Sequence, residues 1–151
     1  MTTLQRARVR WSLVAGTAMA AAAALFGLLL PGVVPPFLAV AAFLTGTAVW
    51  WVATTDEGST VRRGLLAGGF TGLVTHVTYW SLLLLWGARP FRAWGPRSSD
   101  VLQIAAYSAV GIALLGALTV PLGALVGGLV AAAQSRYDPS DSDDEGDTAS
   151  S

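Results

Sequence analysis

The sequence contains no cysteine, and this absence excludes several kinds of site at once. Without a thiol the chain can form no disulfide, no thiolate nucleophile, no CxxC metal site and no lipoprotein anchor. Lysine is also absent, so all nine basic residues are arginine. Together with an acidic C-terminus, this bias indicates a GC-rich genome and a halophilic source, but it carries no information on mechanism.

Recognisable catalytic and nucleotide-binding motifs are missing as well. The sequence contains no GxxxxGK[ST], no HExxH and no GxSxG. A zinc site would depend on the single histidine plus carboxylates, and no carboxylate falls within a long apolar stretch. The arginines do not cluster beyond a membrane-topology pattern, which argues against nucleic-acid binding. We therefore expect no catalytic residue, no metal and no cofactor, and an enzyme is the least favoured class.

Charged residues are scarce. They make up 12% of the chain against 54% hydrophobic residues, and the mean hydropathy is +0.59. This balance is typical of a polytopic membrane protein and not of a soluble domain. The lipid bilayer is therefore the first expected partner.

Four apolar stretches are candidates for helices across a hydrocarbon core of about 30 Å, which takes about 20 residues, and the second stretch is near the lower length limit. The run Gly64–Trp86 is central to this interpretation, because it lacks any charge fixed at neutral pH and holds the only histidine. The predicted fold is an all-α integral membrane bundle of four transmembrane helices with a disordered acidic tail. Its predicted parts are an N-terminal arm at 1–10, spans at 11–30, 37–53, 64–86 and 101–133, and the tail at 137–151.

Prolines and glycines mark the expected helix boundaries. Pro31-Gly32 ends the first helix, and Pro35-Pro36 fits the first turn of the second. The fourth helix is too long for a simple span, and Pro121 is the expected kink. A signal peptide is the alternative for the first run, but the run is of span length and lacks a polar region before a cleavage site.

Arginines set the expected orientation in the cell membrane. Four spans place both termini on one side, with six arginines there and three on the other, which predicts cytoplasmic termini. Tryptophans near helix ends suggest an interfacial belt, and arginines beside aromatics in the outer loop could alternatively grip lipid phosphates. The interfacial candidates are Trp50, Trp51, Arg89, Arg92, Trp94 and Arg97.

Small residues recur every four positions on the predicted helices. Such a ladder lines one face of a helix and permits close helix–helix approach, which replaces the hydrophobic drive that lipid does not provide. The segments GLLAGG (64–69) and GALVGG (123–128) could face each other. Internal helix packing is favoured over a homo-oligomer seam. The predicted helix-packing residues are Gly16, Ala20, Gly64, Gly68, Gly72, Gly123, Gly127 and Gly128.

His76 continues the ladder by one further step, near the middle of the membrane. Ionisable residues at that depth are expensive and often functional. The favoured interpretation is a neutral imidazole bonded to a neighbouring hydroxyl, and the alternative is a proton-sensitive or ligand-binding site. The polar residues expected nearby are Thr75, Tyr79, Tyr107 and Thr45.

Two segments carry a family resemblance. DEGSTVRRGLLAGG (56–69) and LGALVGGLVAAA (122–133) resemble a group of small haloarchaeal membrane proteins with four helices and glycine-rich segments. The resemblance implies a four-helix architecture and a halophilic source. It implies no catalytic residues.

Two function classes follow from these observations. The first is a structural or accessory membrane subunit that acts through glycine-mediated helix packing, alone, as a homo-oligomer or with another membrane protein. The second is a small transporter or channel with a path near His76.

Overall fold

The computed structural model describes residues 3–30, 33–53, 61–87 and 98–137, and within these ranges the protein is entirely helical apart from short connections. These ranges contain four helices in chain order: α1 (Thr3–Leu29), α2 (Pro35–Ala53), α3 (Val61–Gly87) and α4 (Ser98–Tyr137). The predicted all-helical class with four helices is confirmed.

Helix bounds extend beyond the predicted spans. α1 begins at Thr3, so most of the predicted arm is helical, because its leucine, glutamine, alanine and arginines are good helix formers without an intervening glycine or proline. α4 has 40 residues, about 60 Å of helix, and it continues through Pro121. A bend at Pro121 remains a prediction.

Three helices in the described ranges are long and apolar enough to cross a membrane: Gln5–Leu29, Pro35–Ala53 and Val101–Tyr137. The protein is therefore membrane-associated. α3 is not among these three, although the sequence prediction made it the central span. Its glycines, threonines and His76 make its most apolar span-length stretch less hydrophobic than those of the three helices.

The helices form a ring in which each one contacts its two neighbours. α3 and α4 share the largest interface, α1 and α2 the next, and α1 and α4 the smallest. α1 and α2 are antiparallel, since Gly16 lies beside Gly46 and Gly27 beside Pro35, and α3 and α4 are antiparallel, since Gly64 lies beside Gly127 and Gly72 beside Thr119. Trp11 of α1 and Ala131 of α4 belong to one buried cluster. The start of α1 and the end of α4 therefore lie at one end of the bundle, which we call the termini end.

A buried cluster at the termini end holds all four helices together. It comprises small and aromatic side chains: Trp11, Ala15, Trp50, Ala67, Val130 and Ala131. Beside it, the Arg8 guanidinium donates hydrogen bonds to the carbonyl oxygen of Trp51 and lies 4.8 Å from the centre of the Trp51 ring.

The two adjacent tryptophans near the end of α2 differ in exposure. Trp51 is exposed, whereas Trp50 is only 2% exposed and belongs to the buried cluster. Consecutive residues on a helix point about 100° apart, so only one of the pair can face outward.

Several sequence predictions lie outside the described residues. They are the Pro31-Gly32 break, residues 54–60 of the connection between the second and third predicted spans, the outer-loop residues Arg89, Arg92, Trp94 and Arg97, and the acidic tail at 138–151.

Candidate functional site: a glycine-packed helix pair and its cavity

Glycines bring the backbones of α3 and α4 into direct contact. A Cβ added to Gly68 would overlap the carbonyl oxygen of Gly123, and one added to Gly123 would overlap that of Gly68. Gly64 and Gly127 form the same reciprocal pair. In glycine a hydrogen takes the place of the Cβ, so these pairs have the arrangement of Cα–H···O contacts between helices. Any side chain at these positions would push the helices apart.

The contacts follow one antiparallel register. Each step of four residues along α3 is matched by four residues back along α4, so Gly72 comes next and faces the backbone of Thr119. To one side of this row, a Cβ on Gly69 would lie 3.7 Å from the Ala124 Cβ, an ordinary contact. Gly128 faces the side chain of Leu65 instead of a backbone.

A second glycine contact joins α1 to α2. A Cβ on Gly16 would overlap the Thr47 hydroxyl and lie 2.9 Å from the carbonyl oxygen of Phe43. Gly46 lies opposite, where an added Cβ would be 3.3 Å from the Gly16 Cα. Ala20 lies one turn further along α1 and is half-buried. Gly46 was not among the predicted helix-packing residues.

His76 lies one turn beyond the last glycine contact of α3. It is 8% exposed, and its Nε2 is 3.1 Å from the Thr119 hydroxyl oxygen on α4. A Cβ added to Gly111 would lie 3.0 Å from the other ring nitrogen, Nδ1. The imidazole is thus hydrogen-bonded to the Thr119 hydroxyl on one side, and on the other side the absence of a side chain at Gly111 leaves space for it.

A cavity of about 120 Å³ lies between the four helices beside His76. Its walls are mostly apolar and include Met19, Ala23 and Phe26 from α1 and Leu115 and Leu122 from α4. Its polar groups come mainly from one face of α3, together with Thr119 from α4. The polar residues that α3 contributes are Thr71, Thr75, His76, Tyr79 and Trp80.

Most of the hydroxyls beside the cavity are already bonded. Thr71 and Thr75 donate to the carbonyl oxygens one turn back on α3, at 2.8 and 2.7 Å. The Tyr79 hydroxyl accepts a hydrogen bond of 3.2 Å from the Val34 amide at the start of α2. Within the described ranges, the Thr119 contact is the sole hydrogen bond of the imidazole, so His76 Nδ1 is the ring atom left for a ligand.

Two residues that were expected near His76 lie elsewhere. Tyr107 is 46% exposed and stacks on Trp80, with ring centres 4.8 Å apart. The Thr45 hydroxyl is 3.0 Å from that of Thr78, so it joins α2 to α3 away from the imidazole. The hydroxyl partner of His76 is instead Thr119, which the sequence analysis did not place beside it.

The chain matches no protein-family model, no curated protein and no solved structure. The resemblance to small haloarchaeal membrane proteins therefore rests on its two segments alone.

Proposed function

We propose that this is a four-span protein of the cell membrane with both termini in the cytoplasm, and that it acts as a structural or accessory membrane subunit. The observation that carries the proposal is the reciprocal glycine contact of α3 with α4. Such contacts are the means by which helices associate in lipid, where burial of apolar surface provides no drive.

The length and lining of α3 support its assignment as a fourth span. Its 27 residues extend about 40 Å, more than the hydrocarbon core requires. From Gly64 onward it carries no arginine and no carboxylate. Its glycine face is covered by α4, and the hydroxyls of Thr71, Thr75 and Thr78 are bonded within the protein.

The outward surface of α4 supports an accessory role. Large apolar side chains point outward along most of its length, and their exposed fractions are 55% at Val110, 72% at Leu114, 58% at Leu118 and 63% at Leu129. The glycine faces are used inside the bundle. A neighbouring membrane protein would therefore meet an aliphatic surface that otherwise contacts lipid.

Purification of the tagged protein from its own host in mild detergent, followed by native mass spectrometry, tests this role. A second membrane protein at fixed stoichiometry supports an accessory subunit. A monomer or homo-oligomer with no companion contradicts an accessory role and indicates a self-contained protein.

The topology has a separate test, which the cysteine-free chain makes simple. Single variants Thr2→Cys and Ser150→Cys should react with a membrane-impermeant maleimide only after the cells are opened. Arg92→Cys should react in intact cells. The reverse labelling pattern contradicts cytoplasmic termini.

A second candidate function is a small transporter or channel, which the cavity beside His76 favours. The test is reconstitution into vesicles that contain a pH-sensitive dye, followed by an imposed proton gradient. Proton flux that falls in His76→Gln supports a path at this residue. Flux equal to that of empty vesicles contradicts a proton path.

A further inference from the structure

We propose that the cavity beside His76 binds a small neutral molecule with an apolar body and one hydrogen-bonding group, such as a phenol, with that group bonded to the imidazole. This goes beyond both candidate functions, because it requires neither a partner protein nor a path through the bundle.

The size of the cavity sets the size of the ligand. At about 120 Å³ it is close to an engineered apolar cavity of about 150 Å³ that binds benzene. A single six-membered ring with one or two substituents therefore fits, whereas a steroid or a quinone with its tail would require the helices to separate.

The residues that line the cavity determine which ligands it can bind. Apolar side chains form most of the wall, so a charged ligand would lose its hydration without compensation. Thr71 and Thr75 already donate their hydroxyl hydrogens within the protein, and the Tyr79 hydroxyl accepts from the Val34 amide. Among the described residues of the lining, the imidazole Nδ1 and the Trp80 indole N–H beside it are the ring nitrogens without a hydrogen bond, and ligand pockets characteristically combine apolar walls with a few such groups.

Gly111 keeps the space beside that nitrogen open. A methyl group there would lie 3.0 Å from Nδ1 and 3.5 Å from the Trp80 indole nitrogen, which is tight against the ring. The Thr119 contact at Nε2 orients the imidazole and leaves Nδ1 free to donate or accept.

An apolar ligand has a short route from the bilayer. α1 and α4 share the smallest of the four helix interfaces, and the buried cluster in which they take part lies at the termini end. The cavity is lined by later residues of α1, including Ala22, Ala23 and Phe26, and by earlier residues of α4. A molecule dissolved in the lipid can therefore enter between these two helices.

The experiment uses the full-length protein in detergent micelles and follows 4-fluorophenol and fluorobenzene by fluorine NMR. Ala23→Leu places a larger side chain in the cavity, and Ala24→Leu makes the same change at the next position, which does not line it. We expect saturable 4-fluorophenol binding in the wild type and in Ala24→Leu, and none in Ala23→Leu. Identical titrations for all three proteins would mean partition into the micelle and would overturn the proposal.

His76 variants test the hydrogen bond separately. His76→Leu should weaken 4-fluorophenol about fivefold, the loss of one hydrogen bond, and leave fluorobenzene unchanged. Should that variant not fold, His76→Phe provides the same test, because it keeps an aromatic ring at this position but no ring nitrogen. An equal effect on both compounds would overturn the assignment of His76 as the polar contact.

Discussion

The Nε2 atom of His76 on α3 lies 3.1 Å from the Thr119 hydroxyl oxygen on α4. This hydrogen bond continues the glycine row by one helical turn, and it joins the same two helices that Gly68 and Gly123 bring together. The glycines permit the close approach, and the His76–Thr119 pair adds a directional contact that fixes rotation about the helix axes.

The pair should show measurable coupling in a double-mutant cycle. We expect His76→Leu and Thr119→Val each to destabilise the fold and the double variant to cost less than their sum. We expect a coupling free energy of about 0.6 kcal/mol, which is the average for interhelical hydrogen bonds in a membrane protein. Unfolding in mixed micelles of mild detergent and dodecyl sulfate, followed by circular dichroism, gives the four free energies. Strict additivity would mean that the two side chains do not interact.

Glycine positions should differ sharply in their tolerance of a methyl group. Gly68→Ala should lower the free energy of unfolding by about 1 to 3 kcal/mol, because its Cβ would overlap the backbone of Gly123. The matched control is Gly116→Ala, where the nearest atom to the new Cβ is the Ile112 Cγ2 methyl at 3.6 Å, an ordinary contact. The same unfolding assay should find the control unchanged or slightly stabilised. Equal losses in both variants would show that α3 and α4 do not meet at Gly68.

Arg8 should contribute to the α1–α2 contact. It bonds the Trp51 carbonyl near the C-terminal end of α2 and lies over the Trp51 ring, an arrangement that a helix C-terminus favours. Arg8→Ala is expected to cost about 1 kcal/mol and to shift the tryptophan emission. Arg6→Ala removes the same charge from an exposed position on α1 and should change neither quantity. Equal losses of stability and equal emission shifts in both variants would show that the effect of Arg8→Ala comes from net charge and not from the contact with Trp51.

Much of this fold was predictable from the sequence. The scarcity of charge and the four apolar stretches indicated four helices, and proline fixed the start of α2. The predicted central span was harder to judge, because the glycines and His76 that make α3 suitable for close contact also lower its hydropathy. Length and apolar composition therefore identify the three other helices more readily than this one.

The neighbours of His76 were predictable only in part. Pairing GLLAGG with GALVGG in antiparallel register sets Gly72 opposite Thr119, and one further turn brings His76 within reach of the Thr119 hydroxyl. Depth in the membrane alone predicts Tyr107 and Thr45 as neighbours of His76. In the structure Tyr107 instead stacks on Trp80, and the Thr45 hydroxyl contacts that of Thr78. Depth follows from helix length, whereas facing depends on rotation about the axis, which only the register of the partner helix fixes.

The register of α3 against α4 is the central claim, and the cysteine-free chain allows a direct measurement. The Gly69 and Ala124 Cβ positions lie 3.7 Å apart, within the range that a disulfide requires. The variant with both Gly69→Cys and Ala124→Cys should form an intramolecular disulfide under mild oxidation in native membranes, detected as a shift in electrophoretic mobility that a reductant reverses. The control pairs Gly69→Cys with Leu125→Cys, whose position faces outward on α4, and should stay reduced. Cross-linking of the control in preference to the first pair would contradict the register, and with it the glycine contacts and the placement of His76.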